Sequence, residues 1–264
     1  MLLKAIKMHG QGNDYIFFDI TDIDCSQINW SSVSIKWSDR HFGIGADGIV
    51  LIDSNCEVDA KMRMFNNDGS EAEMCGTALR CVCKYLYLKL KKEILQINTL
   101  AGIKTCQYYP ETDLIKAKIG NTKLLNDNLI NIKIDDTEIQ GYFLSIGNPH
   151  FVIINNVTIH NDIQYYGKIL ESWNTFPDKA NIESVQIINK NHISVKVWER
   201  GTGITLACGT GSCASAFIAY KFYNLENIIN VSLPGGEVNI EIKENNKCFL
   251  SGKVNQIFET FIEL

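Results

Sequence analysis

Two cysteines lie in matching glycine-rich segments that could each place a thiol at the start of a helix. Cys75 opens the sequence Cys-Gly-Thr after an alternating, strand-like pattern, and Cys208 opens the same three residues after a second such pattern. Apolar residues at helical spacing follow both segments. A helix start offers unpaired backbone N–H groups and a positive dipole end, so we expect an environment that favours thiolate over thiol.

The placement of these segments indicates a duplicated chain. Each cysteine is preceded, at nearly the same interval, by a glycine–asparagine turn, which contains Asn13 in the first half and Asn148 in the second. The pattern predicts two similar domains that face each other with one thiol on each wall of a cleft. We assign residues 1–120 to the first domain, completed by the C-terminal strand 254–264, and residues 121–253 to the second.

The rest of the pattern predicts an α+β fold. Many short strands and two principal helices, one per half, favour this class over a doubly wound parallel sheet. The polar, asparagine-rich segment 120–131 is the predicted linker, and residues 169–173 are predicted to belong to a short helix.

Composition excludes several classes of protein. A formal net charge of −5 without a basic run argues against nucleic-acid binding, and no apolar run reaches membrane-spanning length. The first residues are too charged for a signal peptide. Nine cysteines without framework spacing, and five histidines not grouped near them, predict a reduced, cytoplasmic enzyme without a metal.

Two thiols on opposite sides of one carbon atom could invert the configuration at that carbon. One thiolate would remove the proton from one face while the opposite thiol supplies a proton to the other. The hydrogen alpha to a carboxylate is weakly acidic, so the developing charge needs fixed donors. The backbone N–H groups of Gly76, Thr77, Gly209 and Thr210 could hold that carboxylate between two positive dipole ends.

Eight motifs, spread from residue 8 to the last hairpin, resemble those of the diaminopimelate epimerase family. They occupy residues 8–14, 42–48, 65–70, 73–76, 147–150, 199–203, 207–211 and 234–236, in the family's order. The chain departs from the family pattern at Thr77 and Ala78, where the family has Asn-Gly, and at Ile204, where it has Glu. These departures lie beside the reacting carbon and the strand–helix turn.

The resemblance implies a cofactor-independent enzyme that interconverts LL- and meso-diaminopimelate for lysine and peptidoglycan precursor synthesis. It implies a homodimer of chains with two mirror-related domains, each a barrel-like, mostly antiparallel sheet around a central helix. Cys75 and Cys208 would be the acid/base pair, and His150 with Glu199 would tune the thiols. The residues implied to bind substrate are Asn13, Asn66, Gly76, Thr77, Asn148, Asn181, Glu199, Arg200, Gly209 and Thr210.

The residues themselves leave other functions open. The same chemistry could act on a sulfur-bridged analogue such as lanthionine, whereas a single-centre racemase would leave the distal-end residues without a purpose. A cysteine hydrolase would pair one thiol with His150 and leave the second Cys-Gly-Thr unexplained. Opposed cysteines could also form a non-catalytic thiol switch or binding module. Exchange of solvent deuterium into an amino acid separates the epimerase from the last two.

Overall fold

The computed structural model describes residues 1–264 and divides the chain into two compact units. Unit 1 consists of Met1–Ala117 and Gly252–Leu264, and unit 2 consists of Lys118–Ser251. No helix in the structure is both long enough and apolar enough to cross a membrane.

Unit 1 is built mainly from strands. Its helices are α1 (Trp30–Ser38) and α2 (Gly76–Leu90). Its strands are β1 (Leu2–Gly10), β2 (Asn13–Asp19), β3 (Gly48–Asp53), β4 (Ala60–Asn66), β5 (Glu71–Ala72), β6 (Ile94–Thr99), β7 (Gly102–Tyr109), the first part of β8 (Leu114–Asn121) and the last strand of the chain, β19 (Asn255–Glu263). Strand β1 pairs antiparallel with β2 and β19, and β2 pairs parallel with β3. Antiparallel pairs then join β3 to β4, β4 to β5, β6 to β7 and β7 to β8, while β4 and β6 are parallel.

Unit 2 contains the remaining elements. Its helices are α3 (Val157–Asn161), α4 (Ile163–Leu170) and α5 (Gly209–Tyr223), with a 3-10 turn at Glu244–Asn246. Its strands are β9 (Lys123–Leu124), β10 (Ile130–Ile134), β11 (Thr137–Ser145), β12 (Pro149–Ile154), β13 (Asn181–Asn189), β14 (His192–Glu199), β15 (Gly203–Thr205), β16 (Ile228–Leu233), β17 (Gly236–Lys243) and β18 (Lys247–Gly252).

The strand pairing of unit 2 repeats that of unit 1. Strand β11 pairs antiparallel with β10 and β12, and β12 pairs parallel with β13. Strand β14 pairs antiparallel with β13 and β15 and parallel with β16, and β16–β17–β18 are antiparallel. Strands β11 to β18 therefore correspond in order to β1 to β8, α5 corresponds to α2, and β10 takes the place of β19. This repeated, mostly antiparallel α+β organisation confirms the predicted fold class.

One long helix lies at the centre of each unit's core. Helices α2 and α5 each contain 15 residues, begin at a cysteine N-cap and end at a left-handed residue, Lys91 or Asn224. Small residues occupy much of α5, including Ala214, Ala216 and Ala219, and all three are buried. Because small side chains let neighbouring backbones approach closely, α5 packs against strands from β11 to β17.

Separate apolar clusters complete the cores. In unit 1, Ile16 and Phe18 of β2 pack with Trp30 of α1, and in unit 2, Phe151 of β12 packs with Phe176. Phe18 lies 5.8 Å from Trp30 between ring centroids, and Phe151 lies 5.0 Å from Phe176, which are ordinary distances for packed aromatic rings. These clusters fix β2 and β12, the strands that follow the two asparagine turns.

Two local predictions differ in detail from the structure. The predicted linker 120–131 lies at the start of unit 2 and contains the end of β8, all of β9 and the start of β10. The helix expected at 169–173 lies earlier, as α4 over Ile163–Leu170, and Asp162 accepts a hydrogen bond from the Tyr165 amide as its N-cap. An asparagine-rich sequence is compatible with edge strands, and the N-cap rather than the weak apolar period determines where α4 begins.

Candidate active site

Cys75 and Cys208 occupy the same structural position in the two units. Each is the N-cap residue of its central helix, with φ/ψ of −130°/130° at Cys75 and −126°/116° at Cys208. An N-cap side chain lies beside the first backbone N–H groups of its helix, which have no partner inside that helix. Gly76 and Thr77 supply these groups in unit 1, and their equivalents supply them in unit 2.

The Cys75 sulfur lies against two side chains from the start of β2. Asn13 Nδ2 is 3.7 Å from Cys75 Sγ, and Tyr15 Oη is 3.5 Å from the same atom. Both distances fall within hydrogen-bonding range for sulfur, and both side chains are donors in this arrangement. Asn13 and Cys75 are half-buried, whereas Tyr15 is only 5% exposed. The structure therefore brings the predicted Asn13 to the thiol and adds Tyr15.

A buried arginine ties the start of α2 to the turn before Asn13. Arg80 Nη2 donates to Gln11 Oε1 at 2.9 Å, and its Nε donates to the carbonyl of Gly76 at 3.3 Å. The same nitrogen Nη2 lies 3.4 Å from Thr77 Oγ1. Gln11 has a positive φ of 53°, so the guanidinium supports a strained turn. The helix start and the asparagine turn are held as one assembly.

A charged network supports Asn13 from the other side. Asp14 Oδ2 contacts Lys7 Nζ at 2.5 Å, and Asp14 Oδ1 accepts from Arg40 Nη2 at 2.7 Å. Arg40 also binds Asp47 Oδ1 at 2.9 Å, and Asp47 Oδ2 accepts from the Asp14 amide at 3.0 Å. Burial alone would raise the pKa of the Asp14 carboxyl, but hydrogen bonds from Arg40 and Lys7 lower it. This network joins the turn at 42–48 to the residue after Asn13.

Asn66 lies elsewhere in unit 1, as the last residue of β4 before the turn. Its side-chain Nδ2 donates to Ser70 Oγ at 3.0 Å, and its backbone N–H donates to the Ser70 carbonyl at 2.8 Å. These bonds stay within its own turn, which is the ordinary behaviour of a turn asparagine. The structure does not link Asn66 to Cys75 or Asn13.

The Cys208 sulfur has different neighbours from that of Cys75. Gly211 N donates to Cys208 Sγ at 3.3 Å, and Thr210 Oγ1 lies 3.4 Å from the same sulfur. Burial raises the pKa of the Cys208 thiol well above its usual value, and the negative charges of Glu199 and Glu183 raise it further. The expectation that a helix start favours thiolate is therefore wrong here. Desolvation and two carboxylates outweigh the donors at the helix terminus.

His150 reaches this thiol only through other side chains. Its Nδ1 lies 2.7 Å from Glu183 Oε1, and its Nε2 lies 3.0 Å from Asn148 Oδ1. Asn148 Nδ2 in turn donates to Thr210 Oγ1 at 3.4 Å. His150 and Glu183 are completely buried. The predicted residues Asn148, His150 and Thr210 thus form one hydrogen-bonded chain that ends at Cys208.

This network approaches α5 closely at Gly211. A Cβ atom at Gly211 would lie 2.7 Å from Glu183 Oε1 and 3.3 Å from Cys208 Sγ. The first distance is shorter than real Cβ contacts, so a larger residue would displace the buried carboxylate or the helix start. At Gly209 the nearest atom to an added Cβ is Leu250 Cδ1 at 3.5 Å, an ordinary contact.

The residues assigned to the distal end of a substrate form a second group in unit 2. Asn181 Oδ1 accepts from the Arg200 amide at 3.0 Å, and Asn181 Nδ2 donates to the Pro149 carbonyl at 2.8 Å. The exposed Arg200 guanidinium donates through Nη1 to the Asp178 carbonyl at 2.7 Å. The structure therefore joins Asn181 and Arg200 directly and connects them to the strand of His150.

Glu199 faces the thiol rather than its neighbour Arg200. Thr205 Oγ1 donates to Glu199 Oε1 at 2.5 Å. Burial raises the pKa of the Glu199 carboxyl, and repulsion from Glu183 adds to this shift. Glu199 and Arg200 do not form an ion pair with each other, because each side chain has another partner.

Three side chains with structural links to these groups were not singled out from the sequence: Tyr15, Glu183 and Glu171. Glu171 Oε2 accepts from the Trp198 indole at 2.8 Å, and Glu171 Oε1 accepts from the Gly201 amide at 3.1 Å. A signal was present for Glu183, because a carboxylate in the middle of an otherwise apolar strand pattern needs a buried partner. The sequence gives no such signal for the other two, because Tyr15 is typical of an aromatic residue in a strand and Glu171 is typical of a surface residue.

The chain resembles known proteins over its whole length. The family model described as diaminopimelate epimerase matches residues 5–125 and 142–257. A diaminopimelate epimerase of Acetivibrio thermocellus is 39% identical over 280 residues, covering 99% of both chains. One of Methanococcus maripaludis is 39% identical over 279 residues, covering 99% of this chain and 100% of the relative.

Among solved structures, a Bacillus anthracis phenazine biosynthesis protein of the PhzF family superposes with a TM-score of 0.78 at 16% identity, with 100% of both chains covered. At that identity the likeness shows a common fold. The family match and the full-length relatives show more: this chain belongs to the diaminopimelate epimerase family.

Proposed function

We propose that this chain interconverts LL- and meso-diaminopimelate by proton removal and return at one α-carbon, with Cys75 and Cys208 as the acid/base pair. One observation carries the residue assignment: the two cysteines are the N-caps of equivalent helices in two units with the same strand order. Full-length relatives named diaminopimelate epimerase support the reaction. The product would serve lysine and peptidoglycan precursor synthesis.

The surroundings of the two sulfurs support different roles for Cys75 and Cys208 in the free enzyme. Burial and two carboxylates favour the protonated form of Cys208, so this residue is suited to supply a proton. Cys75, beside the donors Asn13 and Tyr15, is suited to remove one. Removing the proton from the α-carbon and adding the Cys208 proton to its opposite face inverts the centre. The reverse direction exchanges the two roles.

Backbone amides would hold the reacting carboxylate. Gly76 and Thr77 open α2, and Gly209 and Thr210 open α5, so each pair presents N–H groups at a positive helix end. These donors would stabilise the negative charge that develops when the α-proton leaves. Asn13 and Asn148, each held close to one cysteine helix, would orient the substrate beside the thiols.

The second amino-acid end of the substrate would be bound by the group around Asn181 and Arg200. The guanidinium of Arg200 is exposed and can form a two-pronged contact with a carboxylate. Glu199 offers a carboxylate to the distal ammonium group, and Asn66 offers an amide. Such contacts at a non-reacting end explain why a substrate with two amino-acid groups would be preferred to one with a single group.

The test is epimerisation of LL-diaminopimelate by the reduced, full-length protein in deuterium oxide. We expect meso product with one deuterium at the inverted carbon. The Cys75→Ala and Cys208→Ala variants should each lose measurable turnover, while the matched control Cys25→Ala should retain it, since Cys25 is a half-buried free thiol outside the site. No turnover by folded wild-type protein would exclude diaminopimelate, and lanthionine would be the next substrate in the same assay.

We also propose that the chain is a homodimer joined through the outer face of β19. Phe261 is 63% exposed, and Leu2 and Ile257 are exposed nearby on the β1–β19 pair. Large apolar side chains grouped on one sheet face are typical of an interface, and a second copy offers a matching apolar surface. Light scattering should give twice the chain mass, and Phe261→Asp should give the single-chain mass. The control Ile35→Asp, at an exposed position on α1, should remain dimeric.

A cytoplasmic location is proposed as well. All nine cysteines are free thiols, and the two proposed catalytic ones must stay reduced to act. Fractionation of the source cells, followed by detection of the chain, should find it with cytoplasmic markers.

A further inference from the structure

We propose that Tyr15 is a positioning residue for Cys75, whose hydroxyl donates a hydrogen bond to Cys75 Sγ, orients the sulfur and stabilises its thiolate form. The two atoms are 3.5 Å apart, and Tyr15 is almost fully buried. A buried hydroxyl requires a hydrogen-bond partner, and the sulfur lies within reach. The kinetic consequence rests on the proposed function, because it assumes that Cys75 transfers the substrate proton.

The protons that are present determine the direction of this bond. A thiolate sulfur carries no proton, whereas a neutral tyrosine hydroxyl carries one. The Tyr15 oxygen therefore donates and the Cys75 sulfur accepts. Hydrogen bonds to an ionised acceptor are stronger than those to a neutral one, so the contact stabilises thiolate more than thiol.

Comparison of the two units shows that the two sulfurs differ in their hydrogen-bond donors. Cys208 Sγ accepts a hydrogen bond from the Gly211 amide of its own helix, whereas the Cys75 side chain accepts none from α2. The two backbones have almost the same φ/ψ at the N-cap, so the difference comes from the surroundings. Tyr15, together with Asn13, supplies from β2 the donor that α2 does not supply.

Tyr15 occupies in unit 1 the place that His150 occupies in unit 2. In the parallel pair β2–β3, Tyr15 lies opposite Gly48, and in the parallel pair β12–β13, His150 lies opposite Asn181. His150 directs its ring at Glu183, whereas Tyr15 directs its hydroxyl at the sulfur. The residue at this strand position therefore contacts the thiol directly in unit 1, whereas in unit 2 it is linked to the thiol through Asn148 and Thr210.

The residue of unit 1 that is equivalent to Glu183 carries no charge. Register places Glu183 opposite Val152 and Val50 opposite Phe17, so the buried Val50 stands where unit 2 has a buried carboxylate. Unit 2 thus has a carboxyl group close to the start of its cysteine helix, and unit 1 has a neutral donor beside its sulfur.

Other charged groups near the Cys75 helix keep their own partners when Tyr15 is changed. Arg80 of α2 is bound to Gln11, while Asp14 of β2 is bound to Lys7 of β1 and to Arg40. None of these contacts involves the Tyr15 hydroxyl. A Tyr15→Phe substitution therefore removes one oxygen atom and leaves the charges of the site unchanged.

The test is the pH dependence of Cys75 alkylation by iodoacetamide, followed in the full-length reduced protein by mass spectrometry of the peptide that contains Cys75. In Tyr15→Phe we expect the midpoint to move upward by about one pH unit, with about tenfold slower alkylation below the midpoint. Alkylation of Cys208 in the same samples should not change. The matched control is Tyr85→Phe, whose hydroxyl binds Asp19 at 2.6 Å, and its Cys75 profile should match wild type.

A Cys75 profile of folded Tyr15→Phe that coincides with wild type would overturn the proposal. If that variant does not fold, uniform replacement of tyrosine by 3-fluorotyrosine decides the matter, because the ortho fluorine makes the hydroxyl a stronger hydrogen-bond donor and retains its oxygen. The Cys75 midpoint should then fall, and an unchanged midpoint would overturn the proposal. Alkylation needs no substrate, so its outcome is independent of whether the protein epimerises diaminopimelate.

Epimerisation kinetics separate a positioning role from a packing role. On diaminopimelate, Tyr15→Phe should lower kcat by about tenfold at neutral pH and leave KM nearly unchanged, because the hydroxyl acts on the thiol and not on bound substrate. The acid limb of the kcat profile should move to higher pH, so activity should recover as the pH rises. A uniform loss at every pH would contradict the proposed role.

Discussion

The Glu183 carboxylate lies 2.7 Å from Nδ1 of His150, and neither side chain has any exposed surface. The pair joins β12 to β13, and its carboxylate lies so close to the start of α5 that a Cβ atom at position 211 would be 2.7 Å from Glu183 Oε1. Unit 1 has no equivalent pair at these strand positions, where Tyr15 and Val50 stand. The two halves of the repeat therefore have the same strand order, and they differ in the polar and charged side chains around their thiols.

Removal of the Glu183 side chain should destabilise the protein strongly. Glu183→Ala leaves a buried imidazole without its partner, and we expect a loss of about 3 kcal/mol in the free energy of unfolding. Glu183→Gln retains an oxygen acceptor and should lose clearly less. Urea unfolding measures both, with the exposed Glu138→Ala as a control expected to stay within about 0.5 kcal/mol of wild type. Equal losses for Ala and Gln would contradict the hydrogen-bonding account.

Neutralising Glu199 should make Cys208 more acidic. Burial and the charges of Glu199 and Glu183 raise the pKa of the Cys208 thiol, so Glu199→Gln removes one of the two anions that disfavour the thiolate. At a fixed pH near 8, iodoacetamide should then alkylate Cys208 faster than in wild type, while Cys75 is unaffected. Peptide mass spectrometry distinguishes the two sites. Slower or unchanged alkylation of Cys208 would show that Glu199 does not act on this thiol.

Two glycines in the first turn of α5 should respond differently to alanine. Gly211→Ala introduces a Cβ atom 2.7 Å from the buried Glu183 carboxylate, and overpacking of this kind should lower the melting temperature by about 5 °C. Gly209→Ala meets only Leu250 at 3.5 Å and should melt at or slightly above the wild-type temperature. Differential scanning calorimetry provides the comparison. Similar melting of the two variants would contradict the steric argument.

The stability of unit 1 should depend on pH through Asp19. Burial would raise the pKa of this carboxyl, but hydrogen bonds from Lys89, Thr21 and Tyr85 lower it from 3.8 to about 2. A folded pKa below the unfolded one gives stability that is present above pH 3.8 and is lost as the pH falls through about 2.

The variant Asp19→Asn tests this contribution. It should be less stable than wild type by about 1 kcal/mol at neutral pH, since solvent screens the exposed Lys89 partner, and the difference should shrink as the pH falls below about 4. Urea unfolding at a series of pH values measures the difference. A gap that stays constant from pH 7 to pH 3 would show that the Asp19 ionisation does not stabilise the fold.

Glu171 should influence substrate binding without touching substrate. It holds the Trp198 indole and the Gly201 amide, which flank Arg200. Glu171→Ala should therefore raise KM for diaminopimelate by about tenfold and reduce kcat less, since the distal contacts loosen while the thiols stay in place. Lys179→Met removes only a half-exposed ion pair to Glu171 at 3.4 Å and should have little effect on KM. A loss confined to kcat would contradict this role.

The sequence alone was sufficient for the features that depend on local patterns. Alternating apolar residues predicted the strands that precede Cys75 and Cys208, and helical spacing predicted α2 and α5, which follow them. The repeated glycine–asparagine turns indicated the duplication, and the motifs indicated the family. These features are readable because turn chemistry, helix starts and apolar periods are set by residues close together in the chain.

Only the tertiary structure determined what surrounds each sulfur. Tyr15 reaches Cys75, and Glu183 lies close to Cys208, through parallel strand pairs whose register is a long-range property. Local reasoning predicted that a helix start favours thiolate, yet burial and two carboxylates reverse that preference at Cys208. Desolvation depends on every element packed around a group, so the protonation preference of a buried thiol follows from the folded environment and not from its motif.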